Sequence, residues 1–408
     1  MTEARQAPDV LIAGAGPAGM VLGLLLASKG VRTLVLEQAP DFAREYRGEV
    51  LQPRFTQMMR QVGLWDHLEK YPHLKLNGFE LFVRGRLAAR VDVSRFSPEA
   101  PFITWMPQTV MLQALLDKAK EYPAFQILFN AEADTLIREN GKVVGVAATI
   151  AGQKQEIRSS VVVGADGRAS VVLKRGGFEL ETDEHDFDIL WFTIPKPEGY
   201  ENTVRGFLSR ERNYLILPKY PNHIQCGLVM EKGGYGVYHK AGIDSIRREL
   251  LSAHPVFRSF AEGLKDFKPF NVLQARAHYV RQWAQDGCVL VGDAAHTCSP
   301  AGAIGVSVAA ATAIVAAHVI RKCLEAGDVS AAALGEIQRL REKDVKEIQA
   351  LQRRVTGVLF NRSPFEKAIA GAVIYLAGKT NLFGAALKRL AVMKEPLPVP
   401  ATCGIGRP

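Results

Sequence analysis

The sequence predicts an α/β fold: a doubly wound, Rossmann-like parallel sheet interleaved with a mainly antiparallel β-sheet domain and followed by C-terminal helices. Three observations predict it. Apolar runs that end in glycine-rich turns recur at three distant places, around Gly14, Gly164 and Gly292. Between the last two, residues 188–283 change to short strands of mixed or alternating polarity. Beyond residue 330 the apolar spacing becomes helical. The expected division gives 1–77, 107–187 and 284–330 to the first domain, 78–106 and 188–283 to the second, and 331–408 to a helical region. A chain of 408 residues, 48% hydrophobic, is long for one core and suits two packed together.

The first turn carries the clearest physics. Asp9-Val10-Leu11-Ile12-Ala13 reads as a buried strand and runs into Gly14-Ala15-Gly16-Pro17-Ala18-Gly19. Glycines at 14 and 16 let the strand-to-helix turn close and let a pyrophosphate approach the backbone, and Gly19 lets the helix pack on the strand. The helix continues through Met20 to Ala27, so its bare N–H groups and positive dipole end face the phosphates. A second apolar run, Val31 to Leu36, ends in Glu37, followed by Gln38. A carboxylate there accepts hydrogen bonds from a ribose 2′-OH and repels a 2′-phosphate. The pattern suits the adenosine half of FAD or NAD.

After Glu37 an irregular stretch runs to Pro53 and contains Arg44, Arg47 and Gly48. A helix is expected from about Arg54 to Val62, and a hairpin over 78–93 turning at Arg84-Gly85. Met111 to Tyr122 has helical period, and strands follow from Phe125 to Ile157 with Asn140-Gly141 as a hairpin turn. The second signature, Val161-Val162-Val163 into Gly164-Ala165-Asp166-Gly167-Arg168, returns the chain to a buried sheet. In 188–281 the strands 189–194, 204–208, 214–217 and 224–230, with two intervening helices, make one sheet. One face of it is packed and the other open to a ligand. Trp191, Phe192, Phe207 and Tyr214 either line the open face or fill the core beneath it.

The third signature is Cys288-Val289-Leu290-Val291 into Gly292-Asp293-Ala294-Ala295-His296. Asp293 can bond a polyol hydroxyl. Pro300-Ala301-Gly302-Ala303-Ile304-Gly305 then opens a helix at Val306, a second bare N-terminus suited to negative charge on a ring system. His296 is expected to be structural and Cys298 a small buried filler.

These three signatures, in this order, resemble the class A flavoprotein monooxygenases, the para-hydroxybenzoate hydroxylase-like group. The likeness covers about Pro8 to Ala326. It implies that Gly14, Gly16, Pro17, Ala18, Gly19, Glu37 and Gln38 hold the ADP part of FAD. Asp166 and Gly167 then lie near the pyrophosphate and the NAD(P)H path, and Asp293 holds the ribitol. Pro300, Gly302, Gly305, Val306 and Ser307 fall on the loop and helix start aimed at the flavin. Arg47 matches the family's arginine after the ribose acid, and Gln108 a position where Arg or Gln contacts the flavin. The implied chemistry is reduction of FAD by a transiently bound NAD(P)H, addition of dioxygen to give a flavin hydroperoxide, and oxygen transfer to an aromatic, polyketide or quinone-like molecule. No side chain qualifies as a catalytic acid or base from sequence.

The chain departs from the pattern Pro-x-Gly-Gly-x-Gly-x-Asn and its later Asp. Ala303 replaces the second glycine, Ser307 the asparagine, and Thr312 the aspartate. Loss of an amide contact at 307 implies weaker flavin retention. Trp191-Phe192-Thr193-Ile194-Pro195 resembles only part of the halogenase segment, lacking its tryptophan pair. A halogenase, a prenyl reductase or a flavin-binding partner without turnover are the alternative readings.

Composition excludes other classes. Five cysteines, an odd number without CxxC spacing, read as reduced thiols in a cytoplasmic compartment and not as a disulfide framework or metal site. The polar segment 1–8 lacks the apolar core of a signal peptide. A formal charge of +9 without long basic runs argues against nucleic acid. Near the C-terminus, 334–360 reads as a long amphipathic helix and Ser363-Pro364-Phe365-Glu366 as a capping box. The apolar run 368–378 would span only about 16 Å as helix, against about 30 Å of hydrocarbon. Residues 364–391 could therefore lie on a membrane, cover the substrate pocket, pack on the core or form a dimer face.

Overall fold

The computed structural model describes residues 7–43, 49–209, 213–359, 375–378, 380 and 382–405. Arg44, Arg47, the capping box at 363–366 and all of 364–374 lie outside the described residues.

Six strands form the central sheet. Their order is Ala284–Gln285, Cys288–Leu290, Val161–Gly164, Val10–Ala13, Thr33–Glu37 and Phe125–Phe129. All neighbours are parallel except the first pair. Val10–Ala13 and Val161–Gly164 are buried at every position, which is why both read as unbroken apolar runs and not as alternation. The parallel register brings Ala13 beside Gly164, and Gly164 beside Leu290, so all three signature turns leave the same edge of one sheet.

A second, eight-stranded sheet runs His296–Thr297, Asn271–Val280, Leu180–Pro195, His223–Glu231, Asn213–Lys219, Thr203–Leu208, Gly78–Val83, Arg86–Asp92. Its only parallel pairing joins Thr203–Leu208 to Gly78–Val83, and this docks the early hairpin onto the later strands. One face is covered by helices Gly234–Ala241, Ile243–Ala253 and Arg258–Gly263, three where the sequence suggested two. Phe192 and Tyr214 belong to that covered core, with Phe207 packed against it and stacked on Tyr214. Of the four aromatic residues considered for the open face, only Trp191 points there. Alternation along Leu180–Pro195 puts Phe192 on the opposite side.

Residues 125–158, which read as one run of strands, split in two. Phe125–Phe129 joins the central sheet, while Ala131–Glu139, Lys142–Ile150 and Gln153–Arg158 make a separate antiparallel sheet. Asn140 and Gly141 both take positive φ, 50° and 84°, the pairing a tight hairpin turn of this kind requires.

Gly305–Ala326 is the one helix among the described residues long and apolar enough to cross a membrane, and 78% of its apolar window is buried inside the protein. It is a core helix packed beside Pro17–Ala27. The long amphipathic helix spans Glu336–Leu359. Leu382–Ala391 turns Phe383 and Leu387 onto the open face of the large sheet, with ring centroids of Phe383 and Phe79 5.8 Å apart. Tyr375 packs on the same hairpin. The described parts of 364–391 thus direct Tyr375, Phe383 and Leu387 into the protein, while Leu376 and Leu382 stay exposed.

Candidate cofactor site

Three glycines fit the turns together. Gly14 has φ +99°, and a Cβ there would sit 2.5 Å from the Ala165 carbonyl oxygen and 2.7 Å from Asp166 Cα. The first turn therefore rests directly on the second. A Cβ at Gly19 would collide with the Gly14 carbonyl oxygen, so this position holds the helix against its own turn. Gly292 has φ +58°, and a Cβ there would meet Ala18 Cβ at 2.7 Å and Ala309 Cβ at 3.4 Å. Ala18 and Ala309 lie near the starts of Pro17–Ala27 and Gly305–Ala326, so the third turn is wedged between the two helix N-termini. Neither helix has a capping side chain or an acid in its first turn, which leaves the positive dipole ends uncompensated by the protein.

Where the turns do not touch one another, they face open space. A Cβ at Gly16, Gly167 or Gly305 would meet nothing within 4 Å. Such a cradle, closed behind by backbone and open in front, fits a phosphate-bearing dinucleotide.

Glu37 is buried at the end of its strand, where Oε2 accepts from Ala15 N at 2.9 Å and Oε1 from Ala39 N at 3.1 Å. The carboxylate is thereby locked under the Gly14–Gly16 turn, while Gln38 beside it is exposed. Asp166 also holds the start of a short helix. Its Oδ2 accepts from Val171 N at 2.6 Å and Val172 N at 3.2 Å, capping the short helix Val171–Gly176, while buried Oδ1 has no hydrogen-bond partner among the described residues. Burial pushes its carboxyl above the usual range, opposed by the Ser170 hydroxyl and these amides. Arg168 from the second turn reaches Asp293 of the third, Nε to Oδ2 3.4 Å, both partly exposed to the crevice. Gln108 is buried at the start of Gln108–Ala119.

The loop 297–304 is held differently. Gln352 on Glu336–Leu359 donates to Ser299 O at 2.8 Å and Ala301 O at 2.6 Å, and its Oε1 accepts from Ser299 N at 3.1 Å. Gln349, one turn earlier, donates to Thr297 O at 2.9 Å and His278 O at 3.1 Å. Gln52 donates to Gly302 O at 2.7 Å. Sequence reasoning missed all three glutamines. Ala303 adopts φ 49°, the left-handed region, so the backbone keeps the shape of a glycine pattern despite the side chain. Pro300 and Val306 are half-buried, Gly302 is exposed with φ +80°, and Ser307 Oγ is buried with no partner among the described residues.

His296 is structural. The Thr312 hydroxyl donates to Val308 O at 3.1 Å and so accepts from His296 Nε2 at 2.8 Å. Burial drives its pKa down to about 3, which keeps the ring neutral, tucked 4.9 Å from the Trp283 ring. Thr312 thus serves this pair where the resemblance led one to expect an aspartate. All five cysteines are free and buried, and burial pushes the Cys298 thiol up to about 12. Among the described residues no group of His, Cys, Asp or Glu could hold a metal.

Residues 7–332 match the family described as FAD binding domain. The chain belongs to that family. It is an FAD-dependent monooxygenase, an oxidoreductase of the class A flavoprotein hydroxylase group, and FAD is its cofactor. It is similar to 6-methylpretetramide 4-monooxygenase from Streptomyces rimosus, 29% identical over 96% of this chain and 94% of that protein. It is 23% identical to a carrier-protein-dependent brominase from Pseudoalteromonas luteoviolacea, over 78% of this chain and 79% of the relative. Its fold matches the crystal structure of p-nitrophenol 4-monooxygenase PnpA from Pseudomonas putida with a TM-score of 0.77 at 17% identity, over 95% of this chain and 99% of that one.

Proposed function

We propose that this monooxygenase, using NAD(P)H as a transient reductant, hydroxylates an electron-rich aromatic, polyketide or quinone-like molecule on the open face of the large sheet. The observation that carries the reading is the composition of that face and its neighbour. Trp191, whose ring lies across Gly227, shares it with Leu215, Leu217, Val204, Phe79 and Trp105, and Leu382–Ala391 closes over it. Leu390 from this covering helix comes within 3.4 Å of where a Cβ on Gly302 would lie, so the apolar face and the cofactor loop share one lid. The kinship with 6-methylpretetramide 4-monooxygenase points the same way.

In this reading residues 1–77, 107–187 and 284–330 hold the cofactor, 78–106 and 188–283 hold the substrate, and the helices after 331 cover and brace the site. The Gly14, Gly16 and Gly19 turn, with Pro17, Ala18, Glu37 and Gln38, takes the ADP part. Asp166 and Gly167 lie along the pyrophosphate, Asp293 takes the ribitol, and Arg47 is a further cofactor-binding residue by its match to the family's arginine after the ribose acid. Gln108, Pro300, Gly302, Gly305, Val306 and Ser307 face the ring, whose binding would satisfy the Ser307 hydroxyl. Bound FAD, once reduced, supplies dioxygen activation and delivers one oxygen atom. The protein's own part is to exclude water with apolar side chains and to orient the substrate ring.

The experiment is NADH and NADPH oxidation by the FAD-loaded enzyme across a panel of phenols, polycyclic phenols and hydroquinones, with isotopically labelled dioxygen. Substrate-stimulated oxidation and one labelled oxygen in the product are expected. Oxidation unaffected by every compound contradicts the reading. A brominated product formed in bromide would favour the halogenase reading, which the brominase relative supports but the single Trp191 in its segment does not.

A further inference from the structure

Two arginines are buried directly behind the cofactor loop, and one carboxylate serves both. Arg54 and Arg341 are 6% and 3% exposed. Asp344 Oδ1 lies 3.5 Å from Arg54 Nη2, and its Oδ2 accepts from Arg341 Nη2 at 2.7 Å. Neither arginine Nε has a partner among the described residues. Arginine stays protonated in proteins, so the group carries one net positive charge, with both guanidiniums buried and the Asp344 carboxylate partly exposed. The nearby ionisable groups do not offset it. His296 is neutral, Cys298 is held as the thiol by burial, Asp293 across the loop is matched by Arg168, and Glu342 on the same helix is matched by Lys346.

This arrangement is costly for stability alone, because an apolar substitute for a buried ion cluster is commonly as stable or more so. Its location gives it a second use. Arg54 follows Gln52, which holds Gly302 O, by two residues, and it acts electrostatically on Cys298 inside the loop. Arg341 and Asp344 lie on the helix whose Gln349 and Gln352 clamp Thr297, Ser299 and Ala301. The loop and the charge are therefore fixed by the same two helices.

We propose that the buried guanidiniums of Arg54 and Arg341, balanced by the single, partly exposed carboxylate of Asp344, form a fixed positive charge that raises the reduction potential of the flavin carried by this loop. Uptake of two electrons and one proton leaves a flavin one unit more negative than before. A positive charge in a weakly screened interior favours that state, adding to the dipole end of Gly305–Ala326. These are positioning residues, not catalytic ones. The inference rests on FAD occupying the loop, so FAD stoichiometry is measured first on every variant.

The test is the midpoint potential of the bound FAD, measured by slow reduction with xanthine and xanthine oxidase against reference dyes. Asp344→Asn makes the cluster more positive and should shift the potential upward. Arg341→Gln makes it neutral and should shift it downward, whereas Arg341→Lys should leave it near the original value. Opposite signs are the signature, since a merely structural disturbance moves both variants the same way. If Arg341→Gln does not fold, an upward shift in Asp344→Asn with an unshifted Arg341→Lys carries the proposal. Equal potentials, or shifts of one sign, in variants that retain one FAD per chain would overturn it. Failure of the original protein to bind FAD would instead sink the reading of the site.

Discussion

The two ends of the cofactor crevice are built by different means. At the Gly14 end, backbone meets backbone: Gly14 lies on Ala165 and Asp166, Gly19 on Gly14, and Gly292 between Ala18 and Ala309. At the loop 297–304, position is set by side chains from elsewhere, Gln349 and Gln352 on one helix and Gln52 before another. A backbone contact tolerates no side chain, so its glycines are fixed. A side-chain clamp leaves the loop's own residues freer, and Ala303 departs from the family pattern there, with Ser307 and Thr312 departing on the helix that follows.

The largest effect should come from breaking the backbone end. Gly14→Ala places a Cβ against a carbonyl at positive φ, and overpacking of this kind costs about 1–3 kcal/mol before ligand binding is counted. FAD titration should show affinity reduced by more than tenfold, with a lowered thermal midpoint. Near-normal affinity would mean the turns are not in contact as described.

Next in size is the clamp. Gln352→Ala strips partners from Ser299 N, Ser299 O and Ala301 O, and buried groups left unsatisfied cost about 1–3 kcal/mol each at most. The flavin visible spectrum should change more than the FAD dissociation constant, because the loop moves while the Gly14 end holds. An unchanged spectrum would remove the distinction between the two ends.

Acid sensitivity sharpens the contrast on the loop side. His296 is neutral in the folded protein down to about pH 3, whereas the unfolded chain takes up a proton near 6.5. Its folded pKa is depressed, so its contribution is complete above about pH 6.5 and is lost as pH falls toward 3, by at most about 1.4 kcal/mol per unit. Urea unfolding midpoints measured from pH 7 to 4 should fall less steeply in His296→Gln than in the original protein.

The smallest effect is expected from Ala303→Gly. It relieves a left-handed alanine worth about 1–2 kcal/mol but returns about 0.4–1 kcal/mol of unfolded-chain entropy. A rise in thermal midpoint of a degree or two, with an unchanged flavin spectrum, would show that the loop's shape is imposed by its clamps.

The same contrast explains what was legible in the sequence. The central sheet, the early hairpin and the helices at 53–61, 305–326 and 336–359 follow from periodicity and turn chemistry, because those signals are local. Gly14, Gly19 and Gly292 were legible because each marks a place where only backbone fits. The glutamine clamps were not, since Gln352 and Ser299 meet across a tertiary contact with no local trace. Asp166 was legible as a site residue, yet its capping of Val171–Gly176 depends on a helix too short to read in advance. Phe192, Phe207 and Tyr214 were placeable on one face or the other only once the strand registers were known.

The measurement that bears most directly on the central claim is an FAD titration of the apoprotein alongside Asp293→Ala. The third turn lies far from Gly14 in sequence but beside it in space through Gly292 and Ala18. One FAD per chain, with affinity weakened several-fold by Asp293→Ala and thermal stability unchanged in the absence of FAD, is the predicted result. Tight binding indifferent to Asp293 would contradict a single crevice built from all three turns.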